Sequence, residues 1–176
     1  HTGVRLKQLL ADAGWADAEP WTQLRRDLTD PVEPPPGLRV EVVDGRNVSE
    51  RTAVHRSAFG SARFTDERWR TVAASPAHAD ACCLLGYDED DVPVAAITVW
   101  SAGEGVPGLI EPMGVHADHR GRGFGTAITL AGAARLREMG ASSADVATPS
   151  SNTGGVATYV AAGMSVLGEV HDKRRG

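Results

Sequence analysis

A glycine-rich turn between an apolar strand and an alanine-rich helix constrains the fold of this chain more than any other feature. The turn reads Arg120-Gly121-Arg122-Gly123-Phe124-Gly125-Thr126-Ala127. Because glycine has no Cβ atom, backbone N–H groups in such a turn converge on an oxygen-rich ligand, and the following helix points its positive N-terminal end at the same place. The guanidinium groups of Arg120 and Arg122 suit phosphate contacts. The segment therefore predicts a binding site for a diphosphate.

The flanking segments narrow the choice of fold, since glycine-rich turns occur in several. Residues 109–115 form a mostly apolar strand before the turn. The helix after it presents one apolar face, made by Phe124, Ala127, Ile128, Ala131 and Ala134. A nicotinamide- or flavin-binding fold would place the glycines after the first strand of a parallel sheet, with an acidic residue about twenty positions further on. The order of elements in this chain disfavours that fold.

Two motifs follow one another in the second half of the chain. The first consists of Arg120, Gly123 and Gly125, and the second of Asn152, Tyr159, Gly163 and Met164. Together they resemble the GNAT superfamily of acyl-CoA-dependent N-acyltransferases, and the resemblance extends from about Leu38 to the C-terminus. The sequence departs from the family pattern at Gly155, where alanine is frequent, and at Met164, where phenylalanine is usual. Both departures are conservative in role.

The resemblance implies an α+β fold with a central mixed β-sheet, splayed central strands and flanking helices. From Leu38 onward the sequence pattern independently predicts strand, helix, helix, three strands, helix, strand, helix and strand. Pro112 lies in the central strand and indicates a bulge or an unpaired stretch. By resemblance, acetyl-CoA is the co-substrate, and its pantetheine arm is bound by backbone groups of Met113, Gly114 and Val115. Asn152 is a further candidate for cofactor binding, although it also suits a helix cap.

Acyl transfer from a thioester to an amine needs a base for the ammonium proton, a donor for the developing oxyanion and an acid for the departing thiolate. Glu111 is the candidate base, because a carboxylate partly desolvated at a strand splay titrates in a useful range. The alternative for Glu111 is a solvated strand residue. By resemblance, Tyr159 is the acid that protonates the sulfur; the alternative is a tyrosine that only packs.

Two functional interpretations remain open. The first is an N-acetyltransferase that moves the acetyl group to a primary amine by direct attack in a ternary complex. The second is a non-catalytic acyl-CoA-binding module, which would keep the glycine-rich turn and need neither catalytic candidate. The amine acceptor is not encoded in a motif, and its specificity would come from residues 48–75 and 101–108. Small amines, aminoglycosides, amino acids, peptide N-termini and the amine of a thiol cofactor all stay open.

Composition limits the partners of the chain. A net charge of −5 argues against nucleic-acid binding, which needs a basic surface, and suits an amine better. The sequence contains neither a membrane-length apolar run nor a signal-peptide pattern, so we expect a cytoplasmic protein without a membrane partner. Cys82 and Cys83 are adjacent, which disfavours a disulfide between them, and metal-ligand spacing is lacking. We therefore expect no metal.

The first part of the chain stands outside this order of elements. We assign residues 1–30 to an N-terminal extension, residues 31–37 to a proline-rich, extended linker and residues 38–176 to the GNAT domain. Residues 10–15 match residues 159–164 in a weak internal repeat, and the chain begins without methionine. The extension is therefore either the tail of a preceding GNAT-like domain or an ordinary segment that packs on this one. A second GNAT-like domain or a homodimer is the corresponding partner.

Overall fold

A seven-stranded mixed sheet organises the computed structural model, which describes residues 2–175. The strands are β1 (Trp15–Asp27), β2 (Arg39–Val42), β3 (Ala81–Tyr87), β4 (Pro93–Trp100), β5 (Gly108–Val115), β6 (Ser143–Pro149) and β7 (Ser165–Arg175). The helices are α1 (Thr2–Asp12), α2 (Val48–Phe59), α3 (Asp66–Ala73), α4 (Phe124–Glu138) and α5 (Thr153–Ala161), with short 3-10 helices at Pro76–Asp80 and Ala117–His119. The strands lie in the order β2-β3-β4-β5-β6-β1-β7. This confirms the predicted α+β fold and mixed sheet.

The sheet opens between its two parallel neighbours, β5 and β6. These strands pair only at Gly108 with Ala144 and at Leu109 with Asp145, and then separate. On the other side of β5, two residues, Glu111 and Pro112, face a single residue of β4, because the register shifts between Ile97 and Val99. Such a bulge bends the strand. The splay and the bulge at Pro112 both agree with the sequence analysis.

Helices cover the two faces of the sheet. Helix α4 packs its fully buried Ile128 and Leu136 against side chains of β4 and β5. A Cβ atom at Gly132 would lie 2.7 Å from the Cδ1 atom of Ile97, so glycine allows α4 to approach the sheet closely. On the opposite face, α2 and α3 pack Val54 and Trp69 against a second core cluster. Burial of these apolar faces is the main driving force for this arrangement.

The N-terminal segment contributes a strand to the interior of the sheet. Strand β1 lies between β6 and β7 and is antiparallel to both. Its Leu24 is 1% exposed and belongs to the same core cluster as α4, as do Leu28 and Val32 in the segment that follows. The predicted extension therefore shares a sheet and a core with residues 38–175, because its alternating apolar side chains are buried only by long-range pairing.

The antiparallel register of β1 and β7 relates these two strands by a local two-fold axis, and each strand directly follows a helix, α1 or α5. In each helix–strand unit a glycine in the left-handed region joins helix to strand, Gly14 with φ 79° and Gly163 with φ 78°. The two strands run antiparallel, with Trp15 opposite Arg175 and Arg25 opposite Ser165. This symmetry relates the same two segments that form the internal repeat in the sequence.

Candidate active site

The glycine-rich turn leaves the first N–H groups of α4 without partners. Gly121 and Gly123 have φ of 75° and 86°, a left-handed conformation that favours glycine. Gly123 is the N-cap of α4, and the first turn holds neither a capping side chain nor an acidic residue. Within residues 2–175, the N–H groups of Phe124, Gly125 and Thr126 find no acceptor. Three orphan donors at a helix N-terminus suit an anionic ligand, as the sequence analysis predicts for this turn.

Helix α4 begins close to both β5 and α5. A Cβ atom at Gly125 would lie 2.9 Å from Cγ2 of Thr158 and 3.5 Å from Cγ2 of Val115. Only glycine therefore lets the first turn of α4 approach the start of the splay and the helix that carries Tyr159. This contact places the orphan N–H groups beside the opening in the sheet.

The two arginines of the turn are held by the protein in different ways. Arg120 donates from Nη2 to the carbonyl oxygen of Ala58 at 2.6 Å, near the C-terminal end of α2. Arg122 lies 4.9 Å from the ring centroid of Phe124 and 3.9 Å from the buried carboxylate of Asp88. Arg120 thus ties the turn to α2, whereas the exposed guanidinium of Arg122 lies beside the turn. Next to Arg122 is a cavity of about 440 Å³ that also borders Gly123.

The three pantetheine-binding candidates line the open edge of β5. Met113, Gly114 and Val115 are half-buried and pair with β4 on one side only. The edge that faces β6 has no strand partner beyond Leu109. A Cβ atom at Gly114 would lie 2.6 Å from the Cβ atom of Ala58, so glycine is needed for α2 to pack here. Unpaired strand edges offer backbone donors and acceptors to an extended ligand.

The two catalytic candidates lie within electrostatic reach of each other. Tyr159 is 6% exposed, and its hydroxyl group has no hydrogen-bond partner in the described part of the chain. Burial, with the negative charge of Glu111 adding to it, raises the pKa of Tyr159 to about 12. The Glu111 side chain is exposed, and its backbone carbonyl accepts a hydrogen bond from the Trp100 indole at 2.6 Å. Tyr159 therefore keeps its proton at any physiological pH.

Asn152 acts as the cap of α5. Its Oδ1 atom accepts from the N–H of Gly155 at 3.1 Å, and its Nδ2 atom donates to the Thr148 hydroxyl at 3.0 Å. A Cβ atom at Gly155 would lie 2.3 Å from the Asn152 Nδ2 atom, which explains glycine where related sequences carry alanine. Both the oxygen and the nitrogen of this amide therefore form hydrogen bonds that hold the start of α5. Cofactor binding by Asn152 stays a prediction.

A buried polar cluster that no sequence motif predicted lies under α2 and α3. Arg51 is 2% exposed and donates from Nη2 to the Thr98 hydroxyl at 3.3 Å. The Cys83 thiol lies 3.2 Å from the same hydroxyl and 3.6 Å from Nε2 of His78. One signal was available in the sequence, because Arg51 recurs at helical spacing with Val48 and Val54 on an apolar face.

Within residues 2–175, no helix has the length and apolar character needed to cross a bilayer. The same residues bring no three His, Cys, Asp or Glu side chains together in a group able to hold a metal ion. Cys82 and Cys83 are both buried free thiols.

A sheet that opens between parallel strands, beside an unpaired helix N-terminus, defines the acyl-CoA-binding transferase fold. The sequence profile described as the Acetyltransferase (GNAT) family matches residues 48–164, well over half of the chain. The chain belongs to the GNAT acetyltransferase family.

Individual relatives are longer than this chain. It is 29% identical to a mycothiol acetyltransferase of Thermobispora bispora, over 90% of this chain and 58% of that protein. A GCN5-related N-acetyltransferase from Sphaerobacter thermophilus superposes with a TM-score of 0.75 at 22% identity, over 98% of this chain and 57% of the other. A tandem GNAT protein from the clavulanic acid biosynthesis pathway superposes with a TM-score of 0.73 at 17% identity, over 94% of this chain and 56% of the other. The chain thus spans less than three fifths of each of these relatives.

Proposed function

We propose that this domain transfers an acetyl group from acetyl-CoA to a primary amine by direct attack in a ternary complex. The observation that carries the proposal is the convergence of the orphan N–H groups of α4, the open edge of β5 and the unpartnered hydroxyl of Tyr159 at one opening in the sheet. Residues 120–126 bind the pyrophosphate, and the backbone of residues 113–115 binds the pantetheine. The residues present therefore fit this co-substrate.

Each catalytic candidate has one proton to move. Glu111 takes a proton from the acceptor ammonium, directly or through water, and leaves a neutral amine. The amine nitrogen then forms a bond to the acetyl carbon as the carbon–sulfur bond breaks, and the nitrogen releases its extra proton to solvent to give the neutral amide. The Tyr159 hydroxyl gives its proton to the departing thiolate and is reprotonated from solvent. Its raised pKa keeps the hydroxyl protonated at physiological pH, so the proton is in place when the thiolate develops.

The runner-up is a non-catalytic module that binds acyl-CoA. It would need the turn and the open edge of β5 only. The position of Tyr159 favours the enzyme, because its ring is buried in the core while its hydroxyl, unbonded within the described structure, lies close enough to Glu111 for that charge to raise its pKa. Tight acetyl-CoA binding without turnover of any amine would support the module.

We expect Glu111→Gln to lower kcat/KM for the acceptor by about 10²-fold or more, since loss of a general base removes this much catalysis. Acetyl-CoA affinity should be unchanged, and the Tyr159 pKa should fall because the neighbouring charge is gone. Steady-state kinetics and ultraviolet titration of tyrosinate test these effects. Glu33→Gln, an exposed position in the proline-rich segment, is the matched control. Full activity of Glu111→Gln would assign the base to another carboxylate.

Alkaline pH should destabilise the fold through its two tyrosines. Burial raises the pKa of Tyr159, and of Tyr87, to about 12 from an ordinary value of 10. The unfolded chain loses both protons near pH 10 while the folded chain keeps them, so stability is complete below pH 10 and declines as pH rises towards 12. The slope expected when both tyrosines contribute is about 3 kcal/mol per pH unit. Denaturant unfolding at several pH values measures it; a flat profile would contradict the burial argument.

We also propose that α1 packs against a second GNAT-like lobe that precedes it in the same polypeptide. Helix α5 packs on the core of the domain that contains it. Because α1–β1 is the counterpart of α5–β7, α1 is expected to pack on a corresponding core of a second lobe. Apolar side chains of α1 and β7 are instead exposed: Leu6 57%, Leu9 56%, Val166 53% and Leu167 56%. Such a surface favours a partner with an apolar face.

The mass of the natural polypeptide tests this proposal. A tandem protein should give a denatured mass of roughly twice the 18.5 kDa of this chain, and the same mass under native conditions. A denatured mass near 18.5 kDa with twice that value under native conditions would identify a homodimer instead. A monomer of one-domain size would overturn both.

A further inference from the structure

Arg51 is a buried cation without an anionic partner. Its side chain projects from α2 onto the β3–β4 face of the sheet, where the guanidinium lies 4.7 Å from the Phe64 ring centroid. Nη2 donates to Thr98, but Nε and Nη1 are inaccessible to water and have no hydrogen-bond partner in the described structure. Buried charges are normally paired, because removing them from water is costly. No carboxylate contacts this guanidinium in the described structure; burial lowers the pKa of Arg51, and only the Cys83 group beside it acts in the opposite direction.

None of the groups that contact Arg51 in the described structure is a carboxylate. Its neighbours are Cys83 and Thr98 on the strands and Phe64 before α3. His55, on the same helix, has its pKa lowered to about 4 by burial and by the charges of Arg51 and Arg56. It is therefore neutral and adds no charge to the cluster.

A second buried donor lies in the same cluster. The Trp69 side chain of α3 is 8% exposed, and its Nε1 atom also lacks a partner. Trp69 contacts the His78 ring, with centroids 6.2 Å apart, and His78 in turn contacts Cys83. Donors without acceptors favour a ligand that only accepts hydrogen bonds. Carboxylates and phosphates are such ligands.

The cluster adjoins the proposed catalytic base. Thr98 is the residue of β4 that faces the bulge at Glu111 and Pro112. Since Ile97, Val99 and Ile110 point into the α4 core, Thr98 and Glu111 point to the opposite face, where α2 lies. Adjacent strands are roughly 5 Å apart, so an anion held by Arg51 lies beside the base. His78 and Trp100 are half-buried, and their rings contact each other at the border of the cluster.

We propose that Arg51, assisted by Thr98 and Trp69, binds a negatively charged group of the acceptor. The acceptor is then an amine that carries a carboxylate or a phosphate close to its amino group. This inference rests on the proposed transferase activity and specifies its substrate class.

Matched pairs of acceptors test the proposal. Glycine is compared with glycinamide, and phosphoethanolamine with ethanolamine, so that carboxylate and phosphate are tested separately. In the wild type, kcat/KM for at least one anionic member should exceed that of its neutral partner by about 10-fold or more, the value of one charge-assisted contact. In Arg51→Met this ratio should fall at least about tenfold, with the neutral acceptors unaffected. Comparing ratios cancels the different basicities of the amines.

Stability separates a binding role from a structural one. If Arg51 is kept for a ligand, Arg51→Met should raise the Tm of the ligand-free protein by about 2–4 °C, because it removes an unpaired buried charge. Arg56→Met is the matched control, since Arg56 lies on the same helix and donates to the Phe64 carbonyl at 3.2 Å. That variant should lower Tm and leave the charge preference unchanged. Arg51→Lys should keep part of the preference for anionic over neutral acceptors. It replaces Arg51→Met in this test if the methionine variant does not fold.

A binding measurement keeps this inference separate from the proposed activity. Acetate or inorganic phosphate should raise the Tm of the wild type saturably against chloride at equal ionic strength, and should not do so for Arg51→Met. Anion stabilisation without turnover of any amine would overturn the transferase and keep the anion site. The anion site would be overturned, and the transferase kept, if the wild type and Arg51→Met turned over amines with equal ratios of kcat/KM for anionic and neutral acceptors. The same conclusion would follow if anions had no effect on the Tm of an active wild type.

Discussion

Gly123→Val should abolish acetyl-CoA binding, raising Kd by about 100-fold or more. Valine disfavours the φ of 86° that Gly123 adopts, so the turn would rearrange and misdirect the N–H groups of α4. Loss of two charge-assisted hydrogen bonds, each worth about 1.5–3 kcal/mol, accounts for this factor. Calorimetric titration with acetyl-CoA measures it.

Gly14→Val controls for backbone strain. Gly14 has φ of 79°, joins α1 to β1, and has no atom within 4 Å of an added Cβ, as is also true of Gly123. Both variants should lose similar stability, yet only Gly123→Val should lose acetyl-CoA binding. Equal losses of affinity in the two variants would trace the effect to general destabilisation, and normal binding by Gly123→Val would remove the turn from the site.

Tyr159→Phe should lower kcat by about 100-fold with KM for acetyl-CoA unchanged, because the hydroxyl acts only as the thiolate leaves. The fold should persist, since this hydroxyl makes no hydrogen bond within residues 2–175. With a pKa of about 12, Tyr159 is protonated throughout the physiological range, so the loss should be the same from about pH 6 to pH 10. Kinetics over this pH range test the prediction.

Tyr87→Phe is the matched control for this experiment. The Tyr87 hydroxyl donates to Glu50 at 2.5 Å, and its pKa is also raised to about 12, but it lies on β3 near the sheet edge. This variant should lose stability by about 1 kcal/mol or more and keep full kcat. If Tyr159→Phe also keeps full kcat, the sulfur is protonated by another group and Tyr159 only packs.

Local sequence patterns were enough to predict the parts of the site that depend on neighbouring residues. The turn from Arg120 to Thr126, the helix after it and the order of elements from β2 onward follow from glycine positions and apolar periodicity. Pro112 predicted the bulge because a proline cannot donate to a strand ladder. These features are determined by residues close together in the chain.

Other features depend on pairs distant in sequence. The amide of Asn152 suited either a ligand or a helix cap by its chemistry, and only its contacts with Gly155 and Thr148 show that α5 uses both of its ends. The sequence does not distinguish Arg51 from a solvent-exposed helix arginine; its burial follows from the packing of α2 against β4. Side-chain partners across a sheet are fixed by register, which no short segment specifies.

The sequence by itself determined the family, the anion-binding turn and the identity of the catalytic candidates, because each is written in contiguous motifs. Only the tertiary structure decided that β1 is inserted between β6 and β7, and that the Arg51 guanidinium is buried against Thr98 of β4. The physical reason is burial: Leu24 and Arg51 take their environments from strands and helices far along the chain, and those environments exist only once the sheet has formed.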